Sequence, residues 1–330
     1  MYAVESPRFF RDLPVRYKLL VSYSAFFILA LAIAGSVVYT LVRRTIEADI
    51  ERELNNSTAK ILDMVRTSIT VSIKNHLRAV AEKNREIAEH FYSLHEQGLL
   101  SEEEAKRRAI EIFFSQRIGE TGYIYCGNSA GEAVVHPQKG VQGVDFSYFP
   151  FVREQMSRKE GYIEYDWKNP GEVAARPKAL YMTYFPSWDW IISVSSYREE
   201  FRTLINTEDF RESILSLRLG RTGYCFVMDG KGNLVIHPKL EGQNYFESSD
   251  ATGRNFIQEI CRQKSGKIFY SWKNQDEEVR RMKMVIFNYV PELDWIVASS
   301  GYLDELYGLL PLLRKCTINR HDVNGEGEVY

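Results

Sequence analysis

An α+β fold, built as two tandem sheet domains behind one long helix, follows from three features of this 330-residue chain. The first is an internal repeat. Residues 117–137 read RIGETGYIYCGNSAGEAVVHP and residues 218–238 read RLGRTGYCFVMDGKGNLVIHP, an ungapped match at a separation of 101. Further on, KEGYIEYDWKN (159–169) pairs with KSGKIFYSWKN (264–274), and YFPSWDWIIS (184–193) with YVPELDWIVA (289–298). These later pairs stand 105 apart, so the second copy gains four residues in between. A period near one hundred exceeds the ~20–50 residues of a solenoid unit and fits two domains of one fold. The second feature is a stretch, residues 45–97, with neither proline nor glycine and with apolar residues at helical spacing. The third is the change after Gly119 to short β-rich runs punctuated by turn residues.

The elements follow in chain order. Residues 1–18 carry Arg8, Arg11, Arg16 and Lys18 and are expected in the cytoplasm. Leu19–Val42 is uncharged, apolar and long enough to cross a bilayer as a helix. A cleavable leader is the rival, because Ala32-Ile33-Ala34 resembles a cleavage site, but the apolar run continues past it. Residues 45–116 form a helical stalk, with Ile61, Val65, Ile69 and Ile73 on one stripe. At about 1.5 Å per residue its first part reaches roughly 80 Å. Gly98 interrupts it, and Ser101 with Glu104 forms a capping box for a second helix. Residues 117–199 and 218–307 are the two units, each a five-stranded antiparallel sheet with flanking helices, joined by a helical link over 200–217. Gly127, Gly131, Gly230 and Gly232 mark the turns between the first two strands of each unit. Residues 308–330 are a polar tail.

Composition excludes several classes. Lys and Arg total 42 against 44 Asp and Glu, so there is no basic field for nucleic acid. Cys126, Cys225, Cys261 and Cys316 form no C-x-x-C pair and occupy unlike positions in the repeat, so no zinc spacing is present. They are expected as buried thiols, with a disulfide open to them outside the cytoplasm. No H-E-x-x-H, G-x-S-x-G, P-loop or kinase motif occurs, and neither an enzyme nor a cofactor is expected.

The segments S-E-E-E-A after Gly98, T-G-Y, the two H-P pairs, Y-D-W-K-N-P-G, P-K-A-L-Y and W-D-W together resemble the Cache domains of bacterial receptors. The type resembled has two Cache units following a long N-terminal helix, and the likeness covers residues 45 to 307. It implies a PAS-like sensor region outside the cytoplasm, anchored in the inner membrane, that passes a small-molecule signal to a histidine kinase, a chemotaxis domain or a cyclase. A second membrane span is expected after the second unit, but GLLPLL (308–313) is far too short, which leaves a truncated receptor or one dependent on a partner. The competing expectation is a membrane-anchored adaptor with closed pockets.

A small organic acid needs a cation or strong donors in an apolar pocket. Lys178 opens an alternating strand, where a buried charge is costly without a partner; it either grips a carboxylate or snorkels off the strand end. His136 precedes a proline, which fixes its backbone as extended, so its ring either donates to a ligand or bonds a neighbouring loop. Tyr123, Tyr181, Trp167 and Arg176 complete the candidates in the first copy. Lys283, His237, Tyr224 and Trp272 are their counterparts in the second. The first, membrane-distal copy keeps Asn169-Pro170-Gly171, Pro177-Lys178 and Tyr181; the second has Gln275-Asp276, Met282 and Ile286 there, with an added Asp250-Ala251-Thr252-Gly253 loop. The site is therefore expected in the first copy. The uncovered helical stripe over 45–97 predicts a homodimer through that helix.

Overall fold

The computed structural model describes residues 14–169, 171–273 and 278–307. The start of the basic N-terminus, Pro170, Gln275-Asp276, Cys316 and the polar tail lie outside the described residues. Helix α1 runs unbroken over Val15–Glu96 and contains both the apolar segment and the stalk. The apolar part is long enough to cross a membrane, and none of it is covered by the rest of the chain. Gly98, at φ +70°, turns the chain back into α2 (Glu102–Ser115), where Ser101 Oγ accepts the Glu104 N–H at 3.2 Å. The helix carries three glutamates in its first turn, where the dipole favours negative charge.

The first sheet comprises β1 (Tyr123–Gly127), β2 (Ala133–Val135), β3 (Gly161–Trp167), β4 (Arg176–Phe185) and β5 (Trp190–Tyr197). They lie in the order β2-β1-β5-β4-β3, with α3 (Pro150–Arg158) on one face. A 3₁₀ turn over Arg198–Leu204 and α4 (Glu208–Ser216) lead to the second sheet. Its strands are β6 (Arg218–Leu219), β7 (Gly223–Asp229), β8 (Leu234–Ile236), β9 (Gly266–Trp272), β10 (Arg281–Val290) and β11 (Trp295–Tyr302). Helix α5 (Phe256–Gln263) covers it and α6 (Leu303–Tyr307) follows. Six strands replace the expected five only because the two-residue β6 pairs where the first unit has a lone bridge, Ile118 to Gly122.

Residues common to both copies turn out to build the fold. A side chain at Gly122 would sit 2.5 Å from the carbonyls of Ile118 and Ser195, and one at Gly223 2.3 Å from that of Leu219. Only glycine permits that approach. The threonine before each glycine donates to a carboxylate just past the central strand of its sheet, Thr121 to Glu200 in the 3₁₀ turn and Thr222 to Glu305 in α6, both at 2.5 Å.

The stripe on α1 is covered inside the chain, which removes the motive for the expected dimer. Ile61, Val65, Ile69, Ile73 and Leu77 are at most 1% exposed. They belong to one core with Ala179, Tyr181 and Ile192 of the first sheet and Ile286 and Val297 of the second. Both sheets lay a face along the helix, the second unit nearer the apolar segment, where Thr58 Oγ1 donates to the Ile286 carbonyl at 3.4 Å. Farther along, the Arg198 guanidinium binds Thr70 of the helix at 3.3 Å, Glu164 of the first unit, and Glu292 of the second at 3.4 Å. Burying each Ile or Leu contributes roughly 1.5–3 kcal/mol, so the helix is part of both domains rather than a free stalk.

Candidate ligand-binding site

The outer faces of the two sheets differ, and the difference is a cavity. On the first sheet that face holds a core of only Ile163, Leu180, Met182 and Ile191, with a cavity of about 460 Å³ beside it. Strand alternation decides who faces it. Lys178, Leu180 and Met182 share the outer face of β4, while Ala179, Tyr181 and Phe185 pack into the helix core. Register then sets Tyr165 of β3 and Tyr197 of β5 beside Lys178, with Tyr123 and Tyr125 of β1 opposite Ser195 and Ser193. Helix α3 closes the top with Phe151, Val152 and Gln155, and the segment after β3 brings Asn169 and Glu172 to the mouth.

The electrostatics centre on two groups. Lys178 is fully buried, and its ammonium has no hydrogen-bond partner. It sits behind the cavity wall, 4.2 Å from the centre of the Tyr123 ring and 5.4 Å from that of Tyr197. Burial pushes its pKa down to about 8, against the partial pull of Glu200 and Glu172. His136 lines the cavity and stacks edge-on to Tyr123 at 5.1 Å. The Gln138 N–H donates to its Nδ1 at 3.1 Å, which leaves the proton of a neutral imidazole on Nε2. Burial lowers its pKa to about 4, so the ring is neutral at pH 7. The histidine thus both ties down its loop and keeps a donor, whereas the sequence left these as alternatives.

Of the predicted residues, the structure brings Tyr123, His136 and Trp167 to the cavity wall and Lys178 directly behind it. Tyr181 is a correction. Three positions from Lys178, it points to the opposite face and packs against α1, as does Ile286 in the second copy. The exchange of Tyr181 for Ile286 therefore says nothing about the pocket. Arg176 is a second correction: it stacks on Tyr197 at 3.6 Å and is held by Glu172 and Glu199 at the rim, so its charge is already neutralised. Sequence reasoning missed Gln155, Tyr125 and Glu172. Gln155 Nε2 donates to the Tyr125 hydroxyl at 2.8 Å and to Ser193 Oγ at 3.2 Å.

The second unit fills the same space. Its registers match those of the first, Phe226 pairing with Ala298 as Tyr125 does with Ser193. Ile260 accepts the bond that ends α5 just as Gln155 ends α3. Gly127, Tyr125, Gln155 and Ser193 are thus replaced by Met228, Phe226, Ile260 and Ala298, all buried in one continuous core. Lys283, His237, Tyr224 and Trp272 keep the arrangement of their counterparts, with Lys283 Nζ 4.0 Å over the Tyr224 ring and His237 Nδ1 accepting two loop N–H groups. The loops also diverge. Gly143 bonds Ala133 as Gly242 bonds Leu234, a separation of 99, so the second copy loses two residues and then gains six. Within those six, the Asp250 carboxylate accepts from Thr252, Arg254 and Ser271, which makes the loop a structural turn. Among the described residues no three His, Cys, Asp or Glu side chains converge as a metal site.

Comparison with known proteins places the chain. The Cache domain model, in its double type 2 form, matches residues 40–307. The sensor histidine kinase MctS of Rhizobium johnstonii is 31% identical over 101 residues, 28% of this chain and 22% of that protein. The methyl-accepting chemotaxis protein McpP of Pseudomonas putida is 23% identical over 141 residues, 37% of this chain and 26% of that protein. The matched stretches thus span about a quarter of these relatives. A solved periplasmic sensor domain of a chemotaxis protein is 26% identical, with 39% of this chain and 96% of that one covered at a TM-score of 0.36.

Proposed function

This chain belongs to the Cache domain family, and we propose that it is the extracytoplasmic sensing region of a membrane-anchored receptor whose distal unit binds a small organic carboxylate. The observation that carries this reading is the Lys178 ammonium, fully buried and unpaired behind a cavity that no side chain fills. A buried cation is costly without a partner, and a carboxylate in the cavity supplies one. His136 Nε2 and the Tyr123 hydroxyl, on two rings packed edge to face, serve as its hydrogen-bond donors. Aromatic walls from Phe151, Tyr165 and Trp167 exclude water, which strengthens the attraction. The proximal unit, its space packed with Met228, Phe226 and Ile260, acts as a structural link between the sensing unit and the membrane. The output is a histidine kinase or chemotaxis module, the two classes to which the named relatives belong.

Titration calorimetry of the full chain against short carboxylates tests this. Losing one partner of a charge-assisted contact in such a site costs about 2–5 kcal/mol, so Lys178→Met should weaken binding roughly thirtyfold or more. Lys283→Met should leave it nearly intact. If Lys283→Met does the damage, the ligand belongs to the proximal unit and the assignment is wrong.

A further inference from the structure

A second polar cluster in the distal cavity has no role in holding a carboxylate or in building the fold. Gln155 is 4% exposed and lies on the cavity side of α3. Its Nε2 is fully used by Tyr125 and Ser193, while its Oε1 makes no hydrogen bond among the described residues. That oxygen is not sealed from solvent, so it stays open to a molecule in the cavity.

The second unit supplies the control. It builds the same sheet and helix in the same register, yet carries Phe226, Ile260 and Ala298 where the first has Tyr125, Gln155 and Ser193. All three members of the hydrogen-bonded trio are exchanged together for apolar residues. The scaffold does not require the trio, and an apolar set packs well in its place. What distinguishes the unit that retains it is the open cavity.

The trio lies one step along the sheet from the Lys178 end. The Tyr123 and Tyr125 ring centres are 6.0 Å apart, and His136 packs against both, 5.1 Å from Tyr123 and 6.0 Å from Tyr125. A ligand whose carboxylate faces the Lys178 and His136 end therefore presents its next few carbons to Gln155 and Tyr125. Building on the carboxylate reading above, we infer that the ligand is a hydroxy acid, its hydroxyl recognised by Gln155 and Tyr125. A hydroxyl both donates and accepts: it can give its proton to Gln155 Oε1 and receive one from the Tyr125 hydroxyl. An oxo group accepts only and leaves Oε1 unpaired, and an alkyl group leaves both unpaired. An ammonium would add a second positive charge near Lys178.

A site built to bond a hydroxyl rejects the analogue that lacks it, because its own polar groups are then stranded. Calorimetry on the full chain with two matched pairs, lactate against propionate and 3-hydroxybutyrate against butyrate, tests this. In at least one pair the hydroxy acid should bind roughly ten- to hundredfold tighter. Pyruvate and alanine should bind more weakly than lactate. The triple variant Tyr125→Phe, Gln155→Ile, Ser193→Ala carries the set that already packs in the second unit, and it should erase the preference while still binding the plain acid. Equal affinity within both pairs of the unaltered protein, or a preference for alanine or pyruvate, overturns the hydroxyl assignment and leaves the carboxylate site standing. Absence of binding by every acid overturns both. Because the comparison within each pair uses the unaltered protein, the result does not depend on the variant folding.

Discussion

Lys178→Met should make the empty protein more stable while it destroys binding. In the folded chain burial holds the Lys178 pKa at about 8, against 10.5 for the free side chain. Between those values the unfolded chain binds more protons than the folded one, so stability rises with pH across that window. Below pH 8 the full penalty is present. At about 1.4 kcal/mol per pH unit, the gap amounts to about 3 kcal/mol at pH 7. Methionine has similar length and no charge, so it avoids this cost. It also forfeits the attraction of the ammonium for the Tyr123 and Tyr197 rings at 4.2 and 5.4 Å, worth about 1 kcal/mol. The net expectation is a variant about 2 kcal/mol more stable than the parent at pH 7, with the advantage vanishing by pH 10.5. Urea unfolding of both proteins in lipid nanodiscs, followed by tryptophan fluorescence at pH 7, 8.5 and 10, measures the difference. The carboxylate affinity of the parent should fall about tenfold per pH unit above 8, as the ammonium loses its proton. A variant less stable than the parent at pH 7, or a difference that does not change between pH 8 and 10, would refute the idea of an unpaired buried charge.

Two further substitutions probe the cavity and the helix. Gly127→Met copies the residue that fills the second unit; a Cβ there meets only the Glu132 carbonyl, at 3.7 Å, and the rest of the side chain is expected to enter the cavity, so the protein should fold normally and give no binding heat. Retained binding would move the ligand away from that end of the cavity. Ile69→Ala, in the shared core of helix and sheets, should lower the unfolding free energy by about 2–5 kcal/mol without changing the sedimentation coefficient. A shift from dimer to monomer instead would restore the helix stripe as an association surface.

Much of this protein is legible in its linear order because the relevant physics is local. The repeat, the proline-free helix, the Ser101 cap and the strand runs depend on neighbours a few residues apart, and each appears where periodicity and turn chemistry put it. The glycines and threonines kept in both copies mark close approaches and carboxylate caps, as shared residues should. Lys178 and His136 were recognisable because charge at a buried strand and a histidine locked before proline are unusual in themselves. The placement of Tyr181 was also legible. Alternation sends residues three apart to opposite faces of a strand, so it could not accompany Lys178.

Other outcomes were settled only by tertiary packing. Nothing in residues 45–97 says whether their apolar stripe meets a second chain or the sheets that follow; the path of the chain decides, and it returns both sheets to the helix. Gln155 looks like any surface glutamine in a short helix, and its burial depends on how α3 is rolled against β1 and β5, a matter of packing between segments some thirty to forty residues apart. Which copy keeps a cavity likewise rests on whether four side chains from three separate elements meet in one volume. Local sequence encodes the elements and the face each residue occupies, whereas a cavity is the space left over when several faces come together, and that is defined only once all of them are in place.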